Sequence, residues 1–365
     1  MKKYFLLFLI SFSSFSTEIK PTTEFYTFWG GLKRIARTYW NKGEMVYLKE
    51  DNVLNRPLPI YISKSKTKRP VIILFVGVFG RPDGIIVPGM IADLEKNDVH
   101  LLVIPSFISE TYIMARVATA NKNIWEEEAS NQIALVRAGL NLIGQENISS
   151  LHVVAESLGV WQAIMLLEGD WNFESFSLLS PPLHLSNAVD RFDQLIKKNK
   201  VIYDDCSYWW RWPILLKRYY SEKLPSLAQE EDVRCYGAWG IQSFLKGIEK
   251  VGEIVYKDQK LEKKKADSFR TFVELVTPEF LPFFTVHNDK LDLYYWKKQM
   301  LLKSKKLQMI SALDDFLNDK EEWDLWKQDP DFKDKIKLYP YGGHSGELGE
   351  DLFWQDLSKS LNLND

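Results

Sequence analysis

Cysteine is scarce in this chain: Cys206 and Cys235 are the only two among 365 residues. Neither has a second Cys or His at the short spacing of a tetrahedral zinc site, so no structural metal is expected. In an exported protein the pair would close a loop of about 30 residues, a disulfide worth on the order of 3 kcal/mol; two buried free thiols are the other arrangement open to them. A surplus of charge is also missing. Lys and Arg number 47 against 49 Asp and Glu, a formal net charge of −2, and no RNA- or DNA-binding signature occurs, which argues against a nucleic-acid partner. Beyond the N-terminus no run approaches the about 20 apolar residues that span a bilayer core, so no stable membrane span is expected in the mature chain. Neither G-x-x-x-x-G-K-[ST] nor G-x-G-x-x-G is found, and with them go the common nucleotide and dinucleotide cofactors; none is expected. Internal repeats and low-complexity tracts are absent, and no pattern speaks to the oligomeric state.

What is present is apolar. Hydrophobic residues make up 45% of the chain and aromatic residues 14%, ample for a large globular core. The first residues read MKKYFLLFLISFSSFSTE. Lys2 and Lys3 precede an apolar stretch of about a dozen residues, and Ser14 and Ser16 place small side chains at the −3 and −1 positions of a cleavage after Ser16. Residues 1–16 therefore read as an export signal, with the mature protein periplasmic or secreted.

From about residue 70 to 185, short β-branched runs alternate with helical patterns. PVIILFVGV (70–78), VHLLVIPSF (99–107), SLHVVAES (150–157) and FSLLSPP (176–182) read as buried strands, apolar on both faces as parallel strands are. PGMIADLEKN (88–97), WEEEASNQIALVRAGLNLIG (125–144) and GVWQAIMLLEGD (159–170) carry helical spacing between them. Such alternation predicts crossover units and an α/β fold with a mostly parallel sheet flanked by helices. EMVYLKE and LPIYISK form a leading antiparallel pair. Residues 185–305 change character: aromatics at helical spacing and charge runs, without strand-like runs. This is read as a helical lid insertion dividing a core of 17–184 and 306–365, because about 120 residues are too many for a plain loop. KLQMISALDD (306–315) and KIKLYPYGG (335–343) then resume the sheet, and an amphipathic helix closes the chain.

The chemistry centres on Ala155-Glu156-Ser157-Leu158-Gly159. A serine hydroxyl is a poor nucleophile until a base takes its proton, and a sharp strand-to-helix turn presents it well; that turn needs small residues two positions to either side. Here Ala155 and Gly159 supply them, between the run LHVVA and a predicted helix. An ordinary helix-start serine is the competing reading, and order along the chain decides between them. On this architecture the acid and then the histidine follow the serine, each after a late strand. Of the five histidines, His100 and His152 precede Ser157, His184 and His287 fall before the sheet resumes, and only His344 follows the acids. Gly342, Gly343 and Gly346 leave its loop free to aim the ring across the sheet end. The acid lies in MISALDDFLND, where Asp315 is favoured to hold the imidazole and Asp314 to cap or face solvent. Backbone donors for an oxyanion are expected from Leu158, after the nucleophile, and from FVGVFGRPDG, where Val78 or Phe79 offers an amide.

These stretches together resemble the α/β-hydrolase superfamily from about residue 40 to the end. LFVGVFG, AESLGV, LSPPLHLSNAVDR, NDKLDLYYWKKQ, SALDDFL and GGHSGEL are similar to the YheT-like group of acyl-ester hydrolases. The resemblance implies an α/β-hydrolase fold with a large helical lid between strands six and seven. It also implies a catalytic triad of Ser157, Asp315 and His344, no metal, and hydrolysis of carboxylic esters of acyl or lipid type. The chain departs from the pattern at Val76, where a His of a His-Gly pair is usual, at Val160 in place of a second Gly, and at Phe316 in place of a Pro. An inactive member of the same fold that binds a ligand or protein through its lid is the rival expectation. In the lid, SYWWRWP (207–213) is read as lid core ahead of an acyl-binding wall, and KLEKKKAD (260–267) as a solvated helix face.

Overall fold

A computed structural model describes residues 42–84, 87–117, 124–206, 230–259, 265–285, 289–346 and 351–361. The export signal and the tryptophan-rich stretch 207–213 lie outside the described residues, as does most of the 260–267 charge run.

Eight strands form one sheet in the order β1-β2-β4-β3-β5-β6-β7-β8. The strands are β1 Glu44–Leu48, β2 Leu58–Ser63, β3 Arg69–Phe75, β4 His100–Ile104, β5 Ile148–Glu156, β6 Phe173–Leu179, β7 Ser304–Ala312 and β8 Ile336–Tyr339. Pairing is antiparallel from β1 through β2 to β4 and parallel everywhere else. Side chains alternate across the pleat. Val71, Ile73 and Phe75 of β3 enter the larger core, while Ile72 and Leu74 enter the core on the other face. All five are fully buried, as expected of a central parallel strand covered by helices on both sides.

In chain order the helices are α1 Val87–Leu94, α2 Glu110–Ala115, α3 Ile124–Ile143, α4 Gly159–Met165, α5 Leu185–Asp205, α6 Glu230–Gln259, α7 Phe269–Val276, α8 Leu281–Thr285, α9 Lys297–Lys303, α10 Lys320–Gln328 and α11 Asp351–Leu361. Helices α5 to α9 lie between β6 and β7, where the lid insertion is expected. The third strand is shorter than the apolar run 70–78, because Gly80 N–H donates to the Gly77 carbonyl at 2.8 Å and turns the chain away from the sheet. Helix α10 lies outside the helical patterns read from the sequence, and its start is fixed by Asp319 and Glu322, which close a reciprocal capping box.

Cys206, at the C-terminus of α5, and Cys235, in α6, form a disulfide across 29 residues of sequence. The alternative of two free thiols is thereby set aside. No helix among the described residues is long and apolar enough to cross a membrane.

The sheet reverses its winding at β3: β4 lies on one side and β5 on the other. Ligands of open α/β sheets bind beyond the carboxyl ends of the strands at such a switch. The loop after β3 and the turn after β5 meet there.

Candidate active site

β5 ends at Glu156, and the chain turns sharply at Ser157, whose φ of 53° is left-handed, a conformation that non-glycine residues adopt at an energetic cost. The turn is held by Ser157 N–H donating to Leu179 O of β6 at 2.9 Å. α4 begins two residues later, at a glycine for a steric reason. A Cβ on Gly159 would lie 2.7 Å from the backbone carbon and oxygen of Phe75 and 2.8 Å from Val76 O. The helix thus packs backbone to backbone against β3, and Ser157 is lifted to the rim of the sheet. The residue is only 8% exposed.

His344 reaches Ser157 from the loop after β8. The two residues are 187 positions apart, and Ser157 Oγ lies 2.7 Å from His344 Nε2. On the other side of the ring, Nδ1 lies 3.1 Å from Asp315 Oδ1 and 3.0 Å from Oδ2. An ionised carboxylate only accepts, so the proton resides on Nδ1 and Nε2 is left to accept from the serine. The Asp315 side chain is fully buried. Its orientation is fixed by Leu317 N–H, which donates to Oδ1 at 2.9 Å, and by Ser311 Oγ, which donates to Oδ2 at 3.2 Å.

Asp314 points elsewhere. It accepts from Gly343 N–H at 2.8 Å and so ties the acid loop to the histidine loop. Burial pushes its carboxyl above the ordinary value. The histidine loop is pinned again on its far side, where Ser345 N–H donates to Ser180 Oγ at 3.1 Å. Gly343 sits at φ 61° and Ser345 at φ 60°. The glycines read as freedom thus serve a loop held at two points, and Gly343 needs the left-handed region that glycine enters without strain. Phe316, in place of a proline, lays its ring 5.6 Å from that of His344 and is itself stacked on Phe192 of α5.

Val78 and Leu158 both line the cavity above Ser157. Among the described residues no carbonyl or side chain accepts from either amide. Gly77 N–H, by contrast, donates to Glu156 Oε2 at 2.9 Å. Phe79, the other residue considered for this loop, stands at φ 56° and sends its ring among Phe244, Phe269 and Phe272 of the inserted helices. Val76 is buried in the core rather than facing the site. The other described histidines have other partners, His184 among them, whose Nδ1 lies 3.2 Å from Ser186 Oγ. His100 bonds to Thr67 O and Asn147 O, and His152 lies between the hydroxyls of Ser150 and Ser175, each 2.8 Å away. Desolvation lowers the His152 pKa to about 4. His287 lies outside the described residues.

The cavity is about 230 Å³ and almost wholly apolar. Leu185, Val189 and Phe192 of α5, Phe244 of α6, Phe269 of α7 and Phe284 of α8 form its roof, so the inserted helices wall the site over the serine. Glu156 is the single carboxylate among its lining residues.

No known family's sequence profile matches the chain, and no curated protein matches it either. Solved structures do. The Pyrococcus furiosus esterase Pf2001 superposes with a TM-score of 0.50 at 15% identity, over 88% of this chain and 90% of that one. The naproxen esterase (carboxylesterase NP) of Bacillus subtilis gives 0.47 at 10% identity, over 91% and 96%. The carboxylesterase CesB of the same organism gives 0.46 at 10%, over 93% and 98%. The first of these likenesses shows the fold, the α/β-hydrolase fold: a mostly parallel eight-stranded sheet, helices on both faces, and helices inserted between β6 and β7.

Proposed function

We propose that this protein is an exported serine hydrolase that cleaves carboxylic esters through an acyl-enzyme on Ser157. The observation that carries the reading is the continuous hydrogen-bonded chain from Ser157 Oγ through the His344 ring to the buried Asp315 carboxylate, opening into an apolar cavity. His344 Nε2 takes the hydroxyl proton as Oγ attacks the substrate carbonyl carbon. The resulting oxyanion is met by the amides of Val78 and Leu158, and loss of one such donor commonly removes about 3 kcal/mol of transition-state stabilisation. His344 then returns the proton to the departing alkoxide, which leaves as the alcohol. Water attacks the acyl-serine with the same imidazole as base, and the carboxylic acid is released. The Asp315 carboxylate stabilises the imidazolium.

The apolar walls favour a hydrophobic acyl group, lipid or short-chain, over a sugar or a small charged substrate. That the fold is shared with the esterase Pf2001 supports an ester as the substrate. The motifs that are similar to the YheT-like group support the same class of acyl ester. Export is supported by the basic-then-apolar N-terminus and by the Cys206–Cys235 disulfide, since such bonds persist in oxidising compartments. The division into a core of 17–184 and 306–365 with a lid of 185–305 is part of the same proposal.

The test is labelling with a fluorophosphonate probe beside Ser157→Ala, followed by turnover of p-nitrophenyl esters of increasing chain length. Labelling of the wild type and none of the variant is the expected result. A folded wild type that neither labels nor turns over any ester overturns the reading in favour of a ligand-binding member of the fold.

A further inference from the structure

A carboxylate in a greasy wall needs a reason. Burying a charged group among apolar side chains is unfavourable unless its oxygens are hydrogen-bonded, and Glu156 is half-buried at the edge of a cavity lined largely by Leu, Val and Phe. Its position is equally specific: it is the residue before Ser157, at the last position of β5. Its partner is not His344 but the loop after β3, through Gly77 N–H at 2.9 Å. The contact is close on every side. A Cβ on Gly77 would lie 2.7 Å from Glu156 Oε2 and 3.0 Å from Ser157 Cβ. That loop is otherwise held by two backbone bonds, Gly80 N–H to Gly77 O at 2.8 Å and Ser106 N–H to Gly80 O at 2.9 Å. The first holds the Gly77–Val78 peptide group from within the loop and the second its far end; neither ties the loop to β5 and Ser157. Phe79 is in the left-handed region, so the loop is not at rest in a preferred conformation. Between Gly77 and Phe79 stands Val78, whose amide we assign to the oxyanion.

We infer that Glu156 is a positioning residue: its carboxylate clamps Gly77 N–H and thereby sets the Val78 amide relative to Ser157 Oγ. The inference rests on the hydrolase reading above. A charge-assisted bond from carboxylate to amide is stronger and shorter than a neutral one, and it ties the oxyanion loop directly to the strand end that carries the nucleophile. The donor and the attacking oxygen therefore move as one unit. Glu156 touches no reacting atom. It would act on the transition state alone, because the ester carbonyl becomes a full acceptor only when the oxyanion forms.

Two conservative variants separate this role from others. Glu156→Gln keeps side-chain length and an acceptor oxygen but loses the charge. Glu156→Asp keeps the charge but falls short of Gly77 by one methylene. Steady-state kinetics with a p-nitrophenyl ester, read beside the melting temperature, should show kcat of E156D lowered by about 30- to 100-fold with KM within threefold, and E156Q restored to within about fivefold of wild type. E156D matching wild type in kcat, or E156Q as impaired as E156D, overturns the clamp; so does a change in KM and melting temperature that accounts for the loss. Because the wild type is measured alongside, an inactive wild type sinks the hydrolase reading and the clamp with it. An active wild type with an unaffected E156D sinks the clamp alone.

Discussion

Replacing Asp315 by Asn changes one atom, and the hydrogen bonds around it dictate where that atom goes. Leu317 N–H donates to Oδ1 at 2.9 Å, so the carbonyl oxygen of the new amide must occupy that position to keep the bond. The NH₂ then falls at the Oδ2 position, 3.0 Å from His344 Nδ1. The retained carbonyl oxygen still lies 3.1 Å from Nδ1, but the nearer NH₂ opposes a proton there and favours the tautomer protonated at Nε2, which accepts at Nδ1. Nε2–H now points at Ser157 Oγ, 2.7 Å away, and cannot take its proton. Geometry is preserved while the base is lost, an effect of about 10⁴ in kcat, or about 5.4 kcal/mol at 1.36 kcal/mol per decade. Asp314→Asn is the matched control. That side chain retains an oxygen for Gly343 N–H and never meets the ring, so kcat/KM should stay within about tenfold. The assay is initial-rate hydrolysis of a p-nitrophenyl ester with fluorophosphonate labelling rates beside it. An Asp315→Asn protein within tenfold of wild type, or one less impaired than Asp314→Asn, refutes the assignment of the acid.

Gly159→Ala should lower both melting temperature and kcat. Its Cβ meets only backbone, 2.7 Å away at Phe75, so relief requires moving the turn that bears Ser157; overpacking of this kind runs about 1–3 kcal/mol, and a wild-type-like melting curve would contradict the packing. His152 makes the fold acid-sensitive. It is neutral in the native state with a pKa of about 4 and gains a proton near pH 6.5 when unfolded. Its contribution is thus whole above pH 6.5 and is lost as pH falls to about 4, up to about 3 kcal/mol. Urea unfolding of wild type and His152→Asn at pH 7 and pH 4.5 should show the smaller pH loss in the variant, and equal losses would refute it. Reduction of Cys206–Cys235 releases a loop of 29 residues, worth on the order of 3–4 kcal/mol of unfolded-chain entropy. Thermal melts with and without reductant should differ by several degrees, and identical melts would count against the bond.

Much of this arrangement is legible one segment at a time. The β-branched runs at 70–78 and 150–157 describe buried parallel strands because their apolar character has no polar face to spare. Small residues around Ser157 describe a tight strand-to-helix turn because larger side chains have no space beside it. Asp319 and Glu322 mark the start of α10 in the same local way, through a capping box. Chain order singled out His344 by elimination. Other features stayed hidden because they are relations between distant segments. No local pattern distinguishes Asp315 from Asp314; the difference arises because Leu317 and Ser311 orient one carboxylate toward the ring while Gly343 draws the other to the loop.

Sequence alone therefore determined the strand and helix pattern, the turn at Ser157 and the small set of residues able to complete its chemistry. Each of these follows from side-chain size, polarity and period over a few neighbouring positions. Tertiary structure decided which aspartate meets His344, that Glu156 faces Gly77 rather than solvent, and that phenylalanines from four inserted helices close over the serine. Those outcomes depend on distances across 29 to 187 positions of chain, which are set only when both faces of the sheet are packed.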